Sequence, residues 1–354
     1  MSLKLALVGC GRVAQSIHLP NLRNLRGVTV SAVVDPDPVH RRRALEICPQ
    51  ASGFERLDQV WEAMSPAMSI DAVLISAPTA DHAALAMEAV GHGAHVYAEK
   101  PLAAHPADAE ALVAAWKNGA TAGMIGFNYR FHPLYPQARR LLSQDAVGRP
   151  LMVSTVFSSS VSIVNDWRAR RRSGGGVLLD LGSHHVDLIH FLLGEDVTSV
   201  HAQTSSTHAE DDTAILQMRL RNDVLVSSVF SYGTVDQDRI EIFGDRAILR
   251  IDRYLSTACE IIPRDRPRAR ARQISNALSF LWRPGAILSK MRAAGGDPSY
   301  RAAIEHFVQS VRAGAPSTPD FTDGLRALQV ISAAERSAHA GGWVDVAAAG
   351  GAGL

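Results

Sequence analysis

A run of apolar residues, Leu3–Val8, stops at Gly9-Cys10-Gly11-Arg12-Val13-Ala14, and a helical pattern, Val13–Leu25, begins before the loop is finished. Few folds place a G-x-G-x-x-A loop between a strand and a helix. The first glycine permits a tight turn, the second lets main chain approach a pyrophosphate, and the small last residue lets the helix pack on the strand. The first turn of the helix offers unpaired N–H groups and a positive dipole end to an anion. A lone match is weak, but this one has a second feature behind it. Asp35 closes the next strand pattern, Val28–Val34, where a carboxylate would hold the hydroxyls of an adenosine ribose. Gly9, Gly11, Arg12, Val13 and Asp35 are therefore the expected dinucleotide contacts. A carboxylate repels a 2′-phosphate, so NAD is expected ahead of NADP. Arg41, Arg42 and Arg43 are read as a solvated helix face, with capture of a 2′-phosphate as the alternative.

The alternation continues. Strand patterns at Ala72–Ser76, His95–Ala98 and Ala122–Ile125 are separated by helical ones at Val39–Ile47, His82–Val90 and Ala107–Lys117. Short apolar strands spaced by helices imply a parallel sheet covered on both faces. Near residue 123 the style changes. Leu151–Ser158, Thr198–Gln203, Thr213–Leu220, Val224–Ser231, Arg239–Phe243, Ala247–Ile251 and Ala258–Ile262 read as strands joined by short turns, which favours a mostly antiparallel sheet in an α+β unit. Its helices are read at Gly176–Leu193, Tyr300–Arg312 and Thr322–His339, the last two placed to pack back on the sheet. The expected division is an α/β Rossmann domain over residues 1–122 and a substrate-binding and oligomerisation domain over 123–354. Ala347–Leu354 reads as a frayed tail.

Composition narrows the partners. A net charge of +1 gives no reason to expect nucleic acid. Cys10, Cys48 and Cys259 are scattered, which suits a reducing compartment and predicts neither disulfide framework nor metal site. The opening Met1-Ser2-Leu3-Lys4 runs straight into strand pattern without signal-peptide character. No run approaches the roughly 18 apolar residues of a membrane span. A cytoplasmic protein is expected.

Glu99-Lys100-Pro101 follows the strand at His95–Ala98. In isolation such a tripeptide is ordinarily a surface turn. At the carboxyl end of a parallel strand it stands on the edge where such sheets bind ligands. Lys100 then falls near the nicotinamide end of the cofactor, its ammonium able to hold and polarise a substrate oxygen, and Pro101 fixes the chain's exit, with a cis bond within proline's reach. Further on, Gly174-Gly175-Gly176 opens the apolar segment VLLDLGSHHVDLIHFLLG, in which Asp180, His184 and Asp187 stand at i, i+4 and i+7, one helical stripe. Polar groups in a buried stripe need partners. A lone histidine there is more often a core residue. Flanked by carboxylates in a dinucleotide-binding chain, it suits proton transfer near neutral pH, with Asp180 orienting the ring. His185 and His190 are read as packing or surface residues.

GCGRVA, DPDP, APTADHAALAMEAVGHGAHVYAEKPLA, GFNYRFHP and GGGVLLDLGSHHVDL occur in that order, and together they resemble the glucose-fructose oxidoreductase / inositol dehydrogenase / rhizopine-catabolism (Gfo/Idh/MocA) family over nearly the whole chain. The resemblance implies a Rossmann domain followed by an open-sheet domain, with Lys100, Asp180 and His184 at the catalytic positions. It also implies that Ala77, Thr79, His82 and Glu99 line the cofactor cleft, and that Asn128 and Arg130 form a polar pair at the start of the second domain, on the substrate side. Trp167 and Arg168 fall in the loop before the glycine triplet, where Arg168, Arg170, Arg171 and Arg172 crowd together. That loop reads as solvated surface, or as a receiver of an anionic substrate group such as a uronate or sugar-nucleotide diphosphate, with Trp167 stacking on a sugar.

The expected activity is an NAD(P)-dependent dehydrogenase or reductase acting on a secondary alcohol of a sugar, cyclitol or sugar derivative. Two other readings differ in kind: redox-assisted glycoside cleavage with a recycled cofactor, and a dinucleotide sensor without catalysis, against which the Lys100, Asp180 and His184 set argues. A basic stretch over about 263–298 departs from the family pattern and is read as an extended surface or oligomer contact, with anionic-partner binding as the alternative. VLVSSVFSY and TAILQMRL keep apolar residues on both sides, so a homodimer or homotetramer packed sheet to sheet is expected.

Overall fold

The computed structural model describes residues 2–65, 69–160, 169–171, 175–265 and 297–346. Trp167, Arg168 and Arg172, most of the basic stretch and the alanine-glycine tail lie outside the described residues. The chain divides into two compact units. The first takes residues up to Asn128 together with the described part of Arg292–Leu325, and the second takes the remainder.

The first unit is a parallel sheet of β1 (Leu3–Val8), β2 (Val28–Val34), β3 (Ser52–Phe54), β4 (Ala72–Ile75), β5 (His95–Ala98) and β6 (Gly123–Ile125), in the order β3-β2-β1-β4-β5-β6. Its central strands are nearly continuous apolar runs because helices cover both faces, and Leu5, Ala6, Leu7, Val33, Val73 and Val96 are fully enclosed. The helices are α1 (Leu19–Arg23), α2 (Pro38–Ile47), α3 (Leu57–Glu62), α4 (His82–Gly91) and α5 (Pro106–Lys117). α2 starts where the sequence supplies a start signal: Asp37 caps it by accepting from the Val39 N–H at 2.7 Å, and Pro38 takes the first turn. Phe54, Val34, Val8, Ile75, Ala98 and Ile125 stand opposite one another, so the six strands end level in a single row.

The second unit opens with α6 (Leu134–Ser143) and β7 (Pro150–Ser159), then α7 (Ser183–Leu193), β8 (Val197–Ser205), β9 (Thr213–Leu220), β10 (Leu225–Tyr232), β11 (Gln237–Gly244), β12 (Ala247–Asp252) and β13 (Glu260–Pro263). With β14 (Val344–Asp345), these strands form an eight-stranded sheet ordered β13-β12-β11-β7-β10-β9-β8-β14. It is antiparallel except for the β7–β10 pair. Burial alternates strictly along β9 and most of β10, as in a sheet with one covered face.

Two helices precede β14, α8 (Ser299–Ala313) and α9 (Phe321–Ala340). The expectation that both pack back on the second sheet needs correction. α8 belongs to the first unit: its buried stripe of Ala303, Ile304, Phe307 and Val308 includes a ring that meets Tyr97 edge-on at 5.8 Å. α9 begins in the first unit, where Phe321 packs against Trp116, and its later turns serve the second, where Ser337 accepts the Ala202 N–H at 2.9 Å. The change of pattern at 122/123 falls a few residues short of Asn128, where the first unit gives way to the second.

Candidate active site

Level strand ends have a direct chemical result. One residue beyond the row Val34, Val8, Ile75 and Ala98 come Asp35, Gly9, Ser76 and Glu99, side by side on four adjacent strands. The ladder carries through this extra row, with N–H groups of Gly9, Ser76 and Glu99 donating to Val34, Val8 and Ile75 at 2.8, 2.7 and 2.9 Å. At about 4.8 Å per strand, Asp35 to Glu99 spans roughly 14 Å. β1 lies between β2 and β4, so the strand order reverses there, at the crevice where open α/β sheets take ligands.

The glycine loop fits a pyrophosphate. Gly9 has φ +86°, and a Cβ there would stand 2.5 Å from Ser76 O. A Cβ on Gly11 would meet nothing within 4 Å, so the space before the loop is open to a phosphate. Ala14–His18 then forms a π-helical turn leading into α1, an irregularity often found at functional sites. Asp35 is already organised: Oδ2 accepts the Cys10 N–H at 2.7 Å and Oδ1 the Asp37 N–H at 2.9 Å. Burial pushes the Cys10 thiol up to about 12, which leaves it an inert filler of the loop. Arg41 donates to Asp35 O at 2.5 Å and Pro36 O at 3.2 Å, so this guanidinium is docked on main chain, while Arg42 and Arg43 are exposed.

His82 is buried, with Nδ1 2.7 Å from Pro101 O and Nε2 2.8 Å from Ala77 O. It fastens the loop after β5 to the loop after β4, and Thr79 is buried at the start of the latter. Glu99 Oε1 lies 2.9 Å from Nε2 of His18, a fully buried residue that sequence reasoning missed because its partner is far away along the chain. Burial pushes the Glu99 carboxyl up, but the His18 hydrogen bond and the charges of His18, Lys100 and His82 outweigh it and hold the group below the usual range. The Lys100–Pro101 bond is cis, as anticipated.

In the second unit, Leu178–Gly182 is also a π-helical turn, continued by α7. The three polar residues of the stripe go to three different partners. Asp180 accepts the Tyr232 hydroxyl. His184 stacks on the ring of Tyr129, with centroids 4.1 Å apart and planes 17° from parallel. Asp187 takes Arg130 in a forked pair, Nη2–Oδ1 2.5 Å and Nε–Oδ2 2.9 Å. Asn128, in the first unit, donates to Ser299 Oγ at 2.7 Å. His185 is corrected from packing or surface residue to member of a buried polar network: it is fully enclosed, 3.2 Å from Asp238 Oδ1. His190 lies near Glu195 O and Asp196. Of the clustered arginines, Arg171 pairs with Asp211 at 3.0 Å and Glu335 at 3.5 Å, and its own N–H donates to Glu210. Arg170 is exposed. Among the described residues no group of His, Cys, Asp or Glu is arranged to hold a metal ion, and no helix is long and apolar enough to cross a membrane.

Comparison with known proteins agrees with this geometry. Residues 3–127 match the model of an oxidoreductase family, NAD-binding Rossmann fold, and residues 139–346 match the C-terminal alpha/beta domain of the same family. The myo-inositol 2-dehydrogenase of Thermotoga maritima is 25% identical over 348 residues, covering 95% of this chain and 96% of that protein. The D-apiose dehydrogenase of Paraburkholderia graminis is 28% identical over 350 residues, covering 96% and 89%. Among solved structures, the WlbA dehydrogenase of Bordetella pertussis, determined with NADH and UDP-GlcNAcA, shares the fold at TM-score 0.81 and 20% identity over 98% of each chain.

Proposed function

The chain belongs to the Gfo/Idh/MocA oxidoreductase family, and from that premise we propose that it is an NAD-dependent dehydrogenase of a sugar, cyclitol or sugar derivative. The observation that carries the reading is the level carboxyl edge of the first sheet, which sets Asp35, the glycine loop, Ser76 and Glu99-Lys100 at the ends of four adjacent strands. When bound, the nicotinamide cofactor supplies the hydride acceptor or donor. The chain does the rest. Gly9 and Gly11 admit the pyrophosphate to main-chain N–H groups, and Asp35 accepts from the ribose hydroxyls. His82 and Glu99 hold the loops on either side of Lys100 in place.

Lys100 donates from Nζ to the substrate oxygen as it changes from hydroxyl to carbonyl. His184 takes the hydroxyl proton, and Asp180, steadied by Tyr232, accepts from a substrate hydroxyl. The partners found for Asn128 and Arg130 favour supporting roles over direct contact with substrate. Named relatives that oxidise inositol and apiose support a neutral polyol. The pairing of Arg171 with protein carboxylates removes one arginine from the anionic-substrate reading. Glycoside cleavage and cofactor sensing are not favoured, since these relatives are named dehydrogenases. A cytoplasmic location accords with the free cysteines Cys10, Cys48 and Cys259. Leu151, Met152, Ile215, Leu225 and Val229, exposed on neighbouring strands β7, β10 and β9, support a homodimer or homotetramer joined through that sheet.

The test is a screen of polyols and sugars with NAD, myo-inositol and D-apiose among them, followed by absorbance of the reduced cofactor. Lys100→Met and His184→Ala should each lower turnover by roughly 10²–10⁴ while cofactor affinity holds. Near-normal turnover in both variants would remove these residues from the mechanism.

A further inference from the structure

A buried charge lies a short chain of contacts away from His184. Asp238 on β11 is 1% exposed, and its Oδ2 accepts from Arg253 Nε at 2.6 Å. Its Oδ1 lies 3.2 Å from His185 Nε2 and 3.3 Å from the Tyr135 hydroxyl. Burial alone would push this carboxyl up, but the Arg253 guanidinium and His185 hold it far below the usual range, so it stays ionised. Arg253, 7% exposed, directs its Nη2 to the hydroxyls of Tyr129 at 2.9 Å and Tyr254 at 3.1 Å.

The same guanidinium lies over the Tyr129 ring, Cζ 4.0 Å from its centre. The His184 ring stacks on Tyr129 at 4.1 Å. Two planar groups at that distance from one ring centre cannot share a face without overlapping. Tyr129 is therefore held between Arg253 on one face and His184 on the other.

We propose that Asp238, Arg253 and Tyr129 form a positioning device that sets the plane of the His184 imidazole. This rests on the reading of His184 as the proton acceptor. An acid–base group must be in hydrogen-bond reach and in line with its proton, and small misplacements are costly. Two rotatable bonds leave an imidazole free to turn, and a stacked phenol confines it to one plane. The phenol is in turn fixed by the guanidinium hydrogen bond and stack, and the guanidinium by a buried carboxylate. Asp238, Arg253 and Tyr129 act through His184 and are positioning residues.

Three variants separate the links. Tyr129→Phe keeps the stack and loses the hydroxyl. Tyr129→Leu loses the stack. Arg253→Met combined with Asp238→Asn removes both charges together, so neither is left buried alone, and NADH binding reports whether the protein remains folded. Ring-labelled histidine gives an NMR signal for His184, identified by its loss in His184→Gln and moved upfield by the Tyr129 ring current. The upfield shift should persist in Tyr129→Phe, vanish in Tyr129→Leu and change in the paired variant. With the polyol that the unaltered enzyme oxidises fastest, kcat should fall about 10²-fold in Tyr129→Leu and the paired variant, KM and NADH affinity holding, and fall by a smaller factor in Tyr129→Phe, which keeps the stack and loses the hydrogen bond. An unchanged His184 signal in the paired variant overturns the proposal, and so does a moved signal with unchanged kcat. An unaltered protein that oxidises no polyol counts against the proposed function instead, and the His184 signal then decides the positioning alone.

Discussion

Arg130 and Asp187 offer the sharpest test of what is structural near the candidate site. Their side chains are 10% and 2% exposed, and two parallel N–H···O contacts join them. Arg130→Met leaves the Asp187 carboxylate in a low-dielectric pocket, and losing one partner of a buried pair typically costs about 3–5 kcal/mol. Against a usual unfolding free energy of about 5–15 kcal/mol, that is a large fraction. Removing both charges, in Arg130→Met/Asp187→Leu, also removes the desolvation penalty, so the double variant should recover much of the loss. The cycle should then show a coupling above about 1.5 kcal/mol. Urea unfolding followed by circular dichroism reads it, with m-values checked for constancy. The coupling should survive added salt, because buried pairs are poorly screened. The exposed Arg56–Asp58 pair is the control, and its cycle should close without coupling. A single variant within about 1 kcal/mol of the parent, with additive effects, would falsify the buried-pair argument. It would also return Arg130 to the list of direct substrate contacts.

The remaining predictions concern cofactor, pH and assembly. NAD should bind more tightly than NADP, and Asp35→Ser should narrow or reverse that preference in titrations followed by fluorescence; tighter NADP binding by the unaltered protein refutes the assignment. Asp212 is buried, which pushes its carboxyl up, but N–H groups of His208, Ala209 and Thr207 bind it and hold it below the usual value. A lowered folded-state pKa means that its stabilisation is complete above about pH 4 and drains away as pH falls further. Thermal melts should therefore show a shallower acid limb in Asp212→Asn, and an identical limb removes the group from the acid response. Light scattering at micromolar concentration should give a dimer or tetramer, with Val229→Lys shifting it toward monomer; a monomeric parent contradicts sheet-to-sheet assembly.

The central strands were legible in the sequence because a strand buried on both faces must be a continuous apolar run, as in Leu3–Val8 and Ala72–Ile75. β3 was not: three residues at a sheet edge, Ser52 and Gly53 both exposed, carry no periodicity. Nor was α6, where Pro136 interrupts an otherwise helical pattern. The candidate site divides along the same line. Glycine spacing and the Asp35 position are local signals, and so was the stripe of Asp180, His184 and Asp187. What each of those side chains meets is decided by Tyr232, Tyr129 and Arg130, all 52 or more residues away along the chain. Spacing could nominate the residues but could not assign their partners, and His18 with Glu99 and His185 with Asp238 escaped for that reason.

The first unit draws on two stretches separated by seven of the second sheet's eight strands, and this has a consequence for the ribosome. Tyr97 and His18 sit against Phe307 and Tyr300 of α8, and β6 lies beside the start of α9. At a synthesis rate of ~5–20 residues per second, the roughly 170 residues between Asn128 and α8 take on the order of 9–34 s to make. During that interval the nascent dinucleotide-binding half has an apolar flank with its covering helix still unwritten. A fragment ending at residue 128 should need detergent or a chaperone to stay in solution, and adding a peptide of residues 297–325 should restore it. The half that the sequence announces first stays incomplete until most of the other has been made.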